Sequence, residues 1–265
     1  MKQFIFWGIV ILSAFGAKDP LAATQNRIVS LAPDLTELVY ALNLEKNLVG
    51  VTQFSDTPIE AKKIPRVGSF ISPNTEKILV LKPTHILARR GATPTHVLKF
   101  FQNQKIQVLS FRAEHEDHLI QTLETLGKTF HTEKKAGNLI KEIKKELSRT
   151  NLQSKLRVLV VVESVPFMVA GKKTLLHRAL ELSGGQNAAR QYTGYVKLQM
   201  EAVYRLNPDL ILVPTTHGQE EKIKILKQKW PKIKVALIDG DILTRLTPRW
   251  TQGIQKLSKI IHDHP

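Results

Sequence analysis

The sequence predicts an α/β protein of two similar lobes, each with a mainly parallel sheet, joined by one rigid interdomain helix. Three observations predict it. Short β-branched runs alternate with amphipathic segments along most of the 265 residues, the pattern of parallel strands connected by helices. The stretch 116–150 interrupts that alternation with no strand-like run. A motif also recurs: EKILVLKPTHIL, from Glu76, returns as EAVYRLNPDLIL, from Glu201, with Glu, Leu, Pro and the closing Ile-Leu at a constant offset of 125.

In the first lobe (24–130), RIVSL (27–31), THILA (84–88) and IQVLSF (106–111) have the composition of buried strands. Helical spacing marks Leu35–Leu42, Thr75–Leu81 and Thr95–Phe101. Pro83 stops the second of these, because proline bars its predecessor from helical geometry. In the link (131–153), Ala136, Leu139, Ile140, Ile143 and Leu147 form one apolar stripe opposite lysines and glutamates. A helix from Glu133 to Thr150 is expected, about 27 Å long. Gly137 weakens it by about 1 kcal/mol. The segment lacks the Gly/Ser content of a flexible linker, so a stiff bridge is expected. In the second lobe (154–265) the strands are RVLVVVE (157–163), DLILVP (209–214) and IKVALID (233–239). Its helices are 174–183, 200–206, 220–228 and 249–262.

One string invites a different reading. LELSGGQNAARQ contains the Leu-Ser-Gly-Gly-Gln signature of ABC-transporter ATPases. Such a motor also needs a G-x-x-x-x-G-K-[ST] phosphate loop. The Gly171-Lys172 pair is followed by Lys173, with Pro166 where the first glycine belongs. The string instead reads as the end of a helix carrying Leu175, Leu176, Ala179, Leu180 and Leu182, terminated by Gly184-Gly185.

The N-terminus places the chain outside the cytoplasm. Lys2 precedes an uncharged run, FIFWGIVILSAFGA, about 21 Å long as a helix and short of a ~30 Å bilayer core. This is the form of a secretory signal peptide over 1–23, and cleavage is expected after Gly16 or Ala23. The sequence contains no cysteine, which excludes disulfides, thiolate metal sites and a cysteine nucleophile. It points to an unanchored periplasmic protein. The formal charge of +16 reads as a solvated basic surface, with Lys134, Lys135, Lys141, Lys144 and Lys145 on the wet face of the link. No zinc-finger or RNA-binding signature accompanies it, so no nucleic-acid partner is expected. No nucleophile–base motif or ligand cluster suggests an enzyme, a metal site or a bound cofactor.

RIVSLAPDLTELVYAL, LVGVTQFSD, IPRVGSF, PNTEKILVLKPTHILA and GDILTRLTPR, in this order, resemble the periplasmic binding proteins of ABC importers. The resemblance runs from Arg27 to the C-terminal helix, within the group that carries cobalamin, ferric siderophores and haem. It is strongest to the cobalamin (vitamin B12) carriers. It implies a fold of two α/β lobes on one rigid helix and capture of a corrinoid or an iron chelate between the lobes. It implies delivery to a membrane permease by what is expected to be a monomer. It also implies that Glu76 and Glu201, one per lobe, dock on permease arginines. Phe54, Phe70 and Tyr195 fall where the cobalamin carriers line their cleft with aromatics. Arg89 stands where those carriers have a tryptophan, and Asp241 with Arg245 matches a charged pair at the cleft. Together with Arg90 and Arg112, the arginines would suit an anionic ferric chelate.

Other candidates read as structural. Asp34 and Glu37, after Pro33, have the spacing of a capping-box variant, at a turn on the carboxyl side of a strand. His217 follows a strand and is a candidate haem or metal contact. The His262-Asp263-His264 tail is expected to fray.

Overall fold

A computed structural model describes residues 26–149, 154–164, 166–215 and 220–263. The expected signal peptide, His217 and His264 lie outside these residues. In the first lobe, β1 (Ile28–Ser30), α1 (Pro33–Ala41), β2 (Leu48–Val51), α2 (Thr75–Val80), β3 (His85–Arg89), α3 (Thr95–Asn103) and β4 (Gln107–Phe111) follow one another. The sheet order is β2-β1-β3-β4, parallel throughout. Two helices come next, α4 (Glu116–Phe130) and α5 (Glu133–Leu147). The second lobe contains β5 (Arg157–Ser164), β6 (Phe167–Ala170), α6 (Leu175–Leu182), β7 (Gln186–Asn187), β8 (Tyr195–Lys197), α7 (Met200–Leu206) and β9 (Leu210–Thr215). It closes with α8 (Glu220–Lys229), β10 (Lys234–Asp239), α9 (Gly240–Thr244) and α10 (Trp250–His262).

The two sheets share one topology. In the second lobe β10-β9-β5-β7 are parallel, the order of β4-β3-β1-β2 in the first. The second lobe adds β6 and β8, antiparallel, beyond the end of β5. The sequence repeat continues into the hydrogen bonds. Arg27, just before β1, donates from Nε to Leu81 O at 3.0 Å and caps α2. Arg157, opening β5, donates from Nη2 to Leu206 O at 2.6 Å and caps α7. The backbone N–H of Arg27 bonds Thr84 Oγ1, and that of Arg157 bonds Asp209 Oδ2. Each helix is followed by a left-handed residue, Lys82 at φ 46° and Asn207 at φ 40°, and then a buried proline, Pro83 or Pro208. The repeated unit is therefore a helix, its arginine-capped end and a buried strand.

The terminator reading of the Leu-Ser-Gly-Gly-Gln string matches the structure. Helix α6 ends at Leu182, and Gly184 takes φ 90°, where a Cβ is disfavoured. Gly185 packs so tightly that an added Cβ would lie 2.5 Å from Leu180 Cδ1.

The link is thicker than expected. Helix α5 starts at the expected Glu133, but it is backed by α4, which the sequence reading left without structure. The turn between them is made by His131 in the left-handed region. Gly127 allows close approach, since a Cβ there would lie 2.9 Å from Ala136 Cβ. One apolar cluster runs through this pair, from Ile28, Leu35 and Leu87 through Leu123 and Ile143 to Leu176 and Trp250. The lobes thus share a core on the side of the link.

Candidate functional site

In an open α/β sheet, loops at the carboxyl ends of strands form the binding crevice. Here the loops from the two sheets meet. The segment after β2, Thr52–Asp56, meets the end of α9 in the second lobe through the Asp56–Arg245 ion pair.

That segment is rigid. Thr36 Oγ1 on α1 bonds Ser30 Oγ at 2.9 Å and Ser55 Oγ at 3.1 Å, and Ser55 in turn bonds Thr52 at 2.9 Å. All four residues are fully buried. Arg66 Nη1 adds bonds to the carbonyls of Thr52 and Ser55. Phe54, on this fixed loop, stays 52% exposed, as suits a wall rather than a core residue. Phe70 is half-buried.

Tyr195 is presented from the other lobe on edge strand β8, paired with Ala170. The segment before it lies flat on Gly171, where a Cβ would come 2.5 Å from Tyr192 O. The Gly-Lys pair is thus needed for close backbone approach. Tyr195 is half exposed, yet desolvation by nearby protein raises its hydroxyl pKa. Accessible and poorly solvated together describe the wall of a recess.

The charged candidates are engaged with one another. Arg89 is buried, with Nε donating to Asp34 Oδ2 at 2.8 Å and Nη1 to Arg112 O at 2.7 Å. These bonds hold its guanidinium against the first lobe. Arg245 does stand where the lobes meet. Its Nη1 donates to Glu37 at 3.2 Å and Asp56 at 3.1 Å, and its Nη2 lies 2.7 Å from Asp241. Burial opposes the Arg245 charge, but Asp241, Glu37 and Asp56 outweigh it and raise its pKa. Asp56 is pulled the other way by burial, yet the Arg245 hydrogen bond holds it below the usual carboxylate range. Burial pushes Asp241 up, aided by Asp56 and Asp239 against the pull of Arg245.

Asp34 and Glu37 are not a capping box. Helix α1 starts at Pro33, and its N-cap Ala32 makes no side-chain cap. Asp34 serves Arg89, while Glu37 crosses to the second lobe and accepts from Arg249 Nε at 2.9 Å and Nη2 at 2.8 Å. A second clasp joins the α4 and α6 helices: Arg178 Nε donates to Glu116 Oε2 at 2.9 Å. Burial of Glu116 opposes its charge, but Arg178 prevails and lowers its pKa. Neither clasp has a local signal, since the partners lie 212 and 62 residues apart.

Glu76 and Glu201 are both exposed, each the second residue of its short helix. Beside Glu76 is a surface groove of about 470 Å³, lined by Pro65, Arg66, Val67, Lys77, Val80 and Leu81. No group of three or more metal-ligating side chains occurs among the described residues.

Comparison with known proteins finds the same architecture. The family described as periplasmic binding protein matches residues 28–233. An ABC transporter substrate-binding lipoprotein of Bacillus subtilis is 32% identical over 256 residues, covering 89% of this chain and 80% of that one. A vitamin B12-binding protein of Photorhabdus laumondii is 27% identical, over 97% of this chain and 94% of that one. The apo structure of a periplasmic haem-binding protein from Roseiflexus superposes with a TM-score of 0.82 at 23% identity, covering 91% and 99% of the two chains. At that identity the likeness is one of fold.

Proposed function

The chain belongs to the periplasmic binding protein family, the extracytoplasmic ligand-capturing component of ABC importers, and from that premise we propose that it binds a corrinoid, cobalamin, between its lobes and hands it to the membrane permease. The protein is exported by its N-terminal signal peptide and works as a monomer. No bond is made or broken in the process.

The observation that carries the ligand is the internal neutralisation of the arginines. Arg245 is shared among three carboxylates and Arg89 is committed to Asp34. A fixed anion would have to compete with these pairs. What remains suits a broad, uncharged ring edged with amides: the exposed Phe54, the half-buried Phe70, Tyr195, and the partly exposed carboxylates Asp56 and Asp241 as acceptors. The alternative, a ferric siderophore or haem, draws support from Arg90, exposed just past the end of β3. Glu76 and Glu201 serve as the docking contacts.

The test is a panel of cobalamin, a ferric hydroxamate, a ferric catecholate and haem, each mixed with the mature protein and passed over gel filtration. Both tryptophans of the lobes, Trp230 and Trp250, are buried, so visible absorbance is the more direct readout. Cobalamin colour should co-elute, and Phe54→Ala or Tyr195→Ala should weaken binding. Co-elution of only an iron ligand overturns the corrinoid reading.

A further inference from the structure

Among the described residues, the lobes are joined by the shared core along α4 and α5, the Glu116–Arg178 clasp, and the cluster around Glu37. The third differs from the others in touching the cleft. Glu37, with its side chain only 6% exposed, accepts from both Arg245 and Arg249. Arg249 is the residue before α10, and Arg245 the residue after α9. One corner of the second lobe therefore grips α1. Through Asp56 the same corner also grips the loop that bears Phe54. Because hydroxyl bonds and Arg66 fasten that loop to the first lobe, the grip fixes one lobe against the other.

We propose that the Glu37–Arg245–Arg249 cluster is a clasp that sets the width of the cleft, and that Glu37, Arg249 and Asp56 are positioning residues for ligand capture. They act on the spacing between the Phe54 and Tyr195 walls. A charged pair of this burial is worth little against a well-packed apolar substitute, but it fixes a geometry. The inference rests on the cleft being the ligand site, yet the spacing of the lobes can be read with no ligand at all.

The absence of cysteine from the sequence makes the experiment clean. Cysteines at Lys77 and Arg205, exposed beside the two docking glutamates, carry spin labels for pulsed distance measurement. E37Q should widen the distance distribution of the ligand-free protein and weaken cobalamin binding about tenfold. The E37M/R249M variant removes both charges and guards against misfolding from an unpaired arginine. D56N, at a position 49% exposed on its side chain, should widen the distribution less. Distances unchanged in all three variants overturn the clasp. A widened distribution with unchanged cobalamin affinity overturns its role in setting the cleft. Failure of the wild type to bind cobalamin would count against the ligand reading alone, because the distance measurement still decides the clasp.

Discussion

Arg89 shows how a single side chain changes meaning once its partners are known. Its side chain is 9% exposed and Asp34 is 10% exposed, at 2.6 Å. Removing one member of a buried pair leaves the other charge largely out of solvent without its counter-charge. Arg89→Met should therefore cost about 3–5 kcal/mol in urea unfolding, and Asp34→Leu with Arg89→Met should recover most of it. Ligand affinity of the folded double variant should match the wild type if the pair is structural, since both side chains are about nine-tenths buried. Glu116 gives a pH signature. Its folded pKa lies below the ordinary 4.5 because Arg178 outweighs burial. It thus binds fewer protons folded than unfolded near that pH, and stability falls with acidification. Its contribution is complete above 4.5 and is lost as pH drops through the folded value. Denaturant midpoints from about pH 6 to pH 3 should fall less steeply in Glu116→Gln than in the wild type; parallel curves would show that the clasp carries no linkage.

Helix α6 and its terminator carry the same lesson one level up. Gly185 sits against Leu180 and Ile261, both buried. Gly185→Ala should destabilise by about 1–3 kcal/mol, because the core there has no slack; a neutral midpoint would mean that α6 and α10 can part. This helix was legible because its leucines recur at 3.6-residue spacing and its glycines follow at once. The central parallel strands β1, β3, β5 and β9 were legible for a like reason: largely buried, they read as unbroken apolar runs. The short strands β2, β7 and β8 offer two to four residues each, too few for periodicity to show. Helix α4 was overlooked although Leu119, Leu123, Leu126 and Phe130 keep helical spacing and are buried; polar residues between them hid the stripe. Phe54 and Tyr195 were singled out through family segments, and each is about half exposed on its lobe. Of the partners of Arg245, Asp241 was expected, but Glu37 and Asp56 were not, because salt bridges across about 190–210 positions leave no trace in local pattern. Glu37 was misread for the same reason, since three-residue spacing from Asp34 suggested a local cap.

The whole chain behaves as two copies of one unit held on a common spine. A shared core and two ionic clasps leave the lobes little freedom to rotate, so ligand capture should change their spacing modestly. Less free energy is then needed to select the closed form. A permease reading such a body would need contacts on both lobes, and the repeat offers matching positions for them. Glu76 and Glu201 occupy the same place in the same structural unit, each two residues into a helix whose far end is capped by an arginine. Their neighbours differ: Val80 is 79% exposed beside the first, and the charged Arg205 occupies the matching place beside the second. The common carboxylates would provide attraction, and the unlike flanks would tell the lobes apart. A favourable helix dipole alone would be worth about 0.3–1 kcal/mol to each glutamate and nothing to transport. The double reversal E76K/E201K separates these accounts. Cobalamin affinity should stay within about twofold of the wild type, and the melting temperature should move by only a few degrees. Uptake by the reconstituted importer should drop to background, with each single reversal intermediate, because like charges across an interface cost several kcal/mol. Undiminished uptake by the double variant would remove the docking role from both glutamates and leave them as surface charges of their helices.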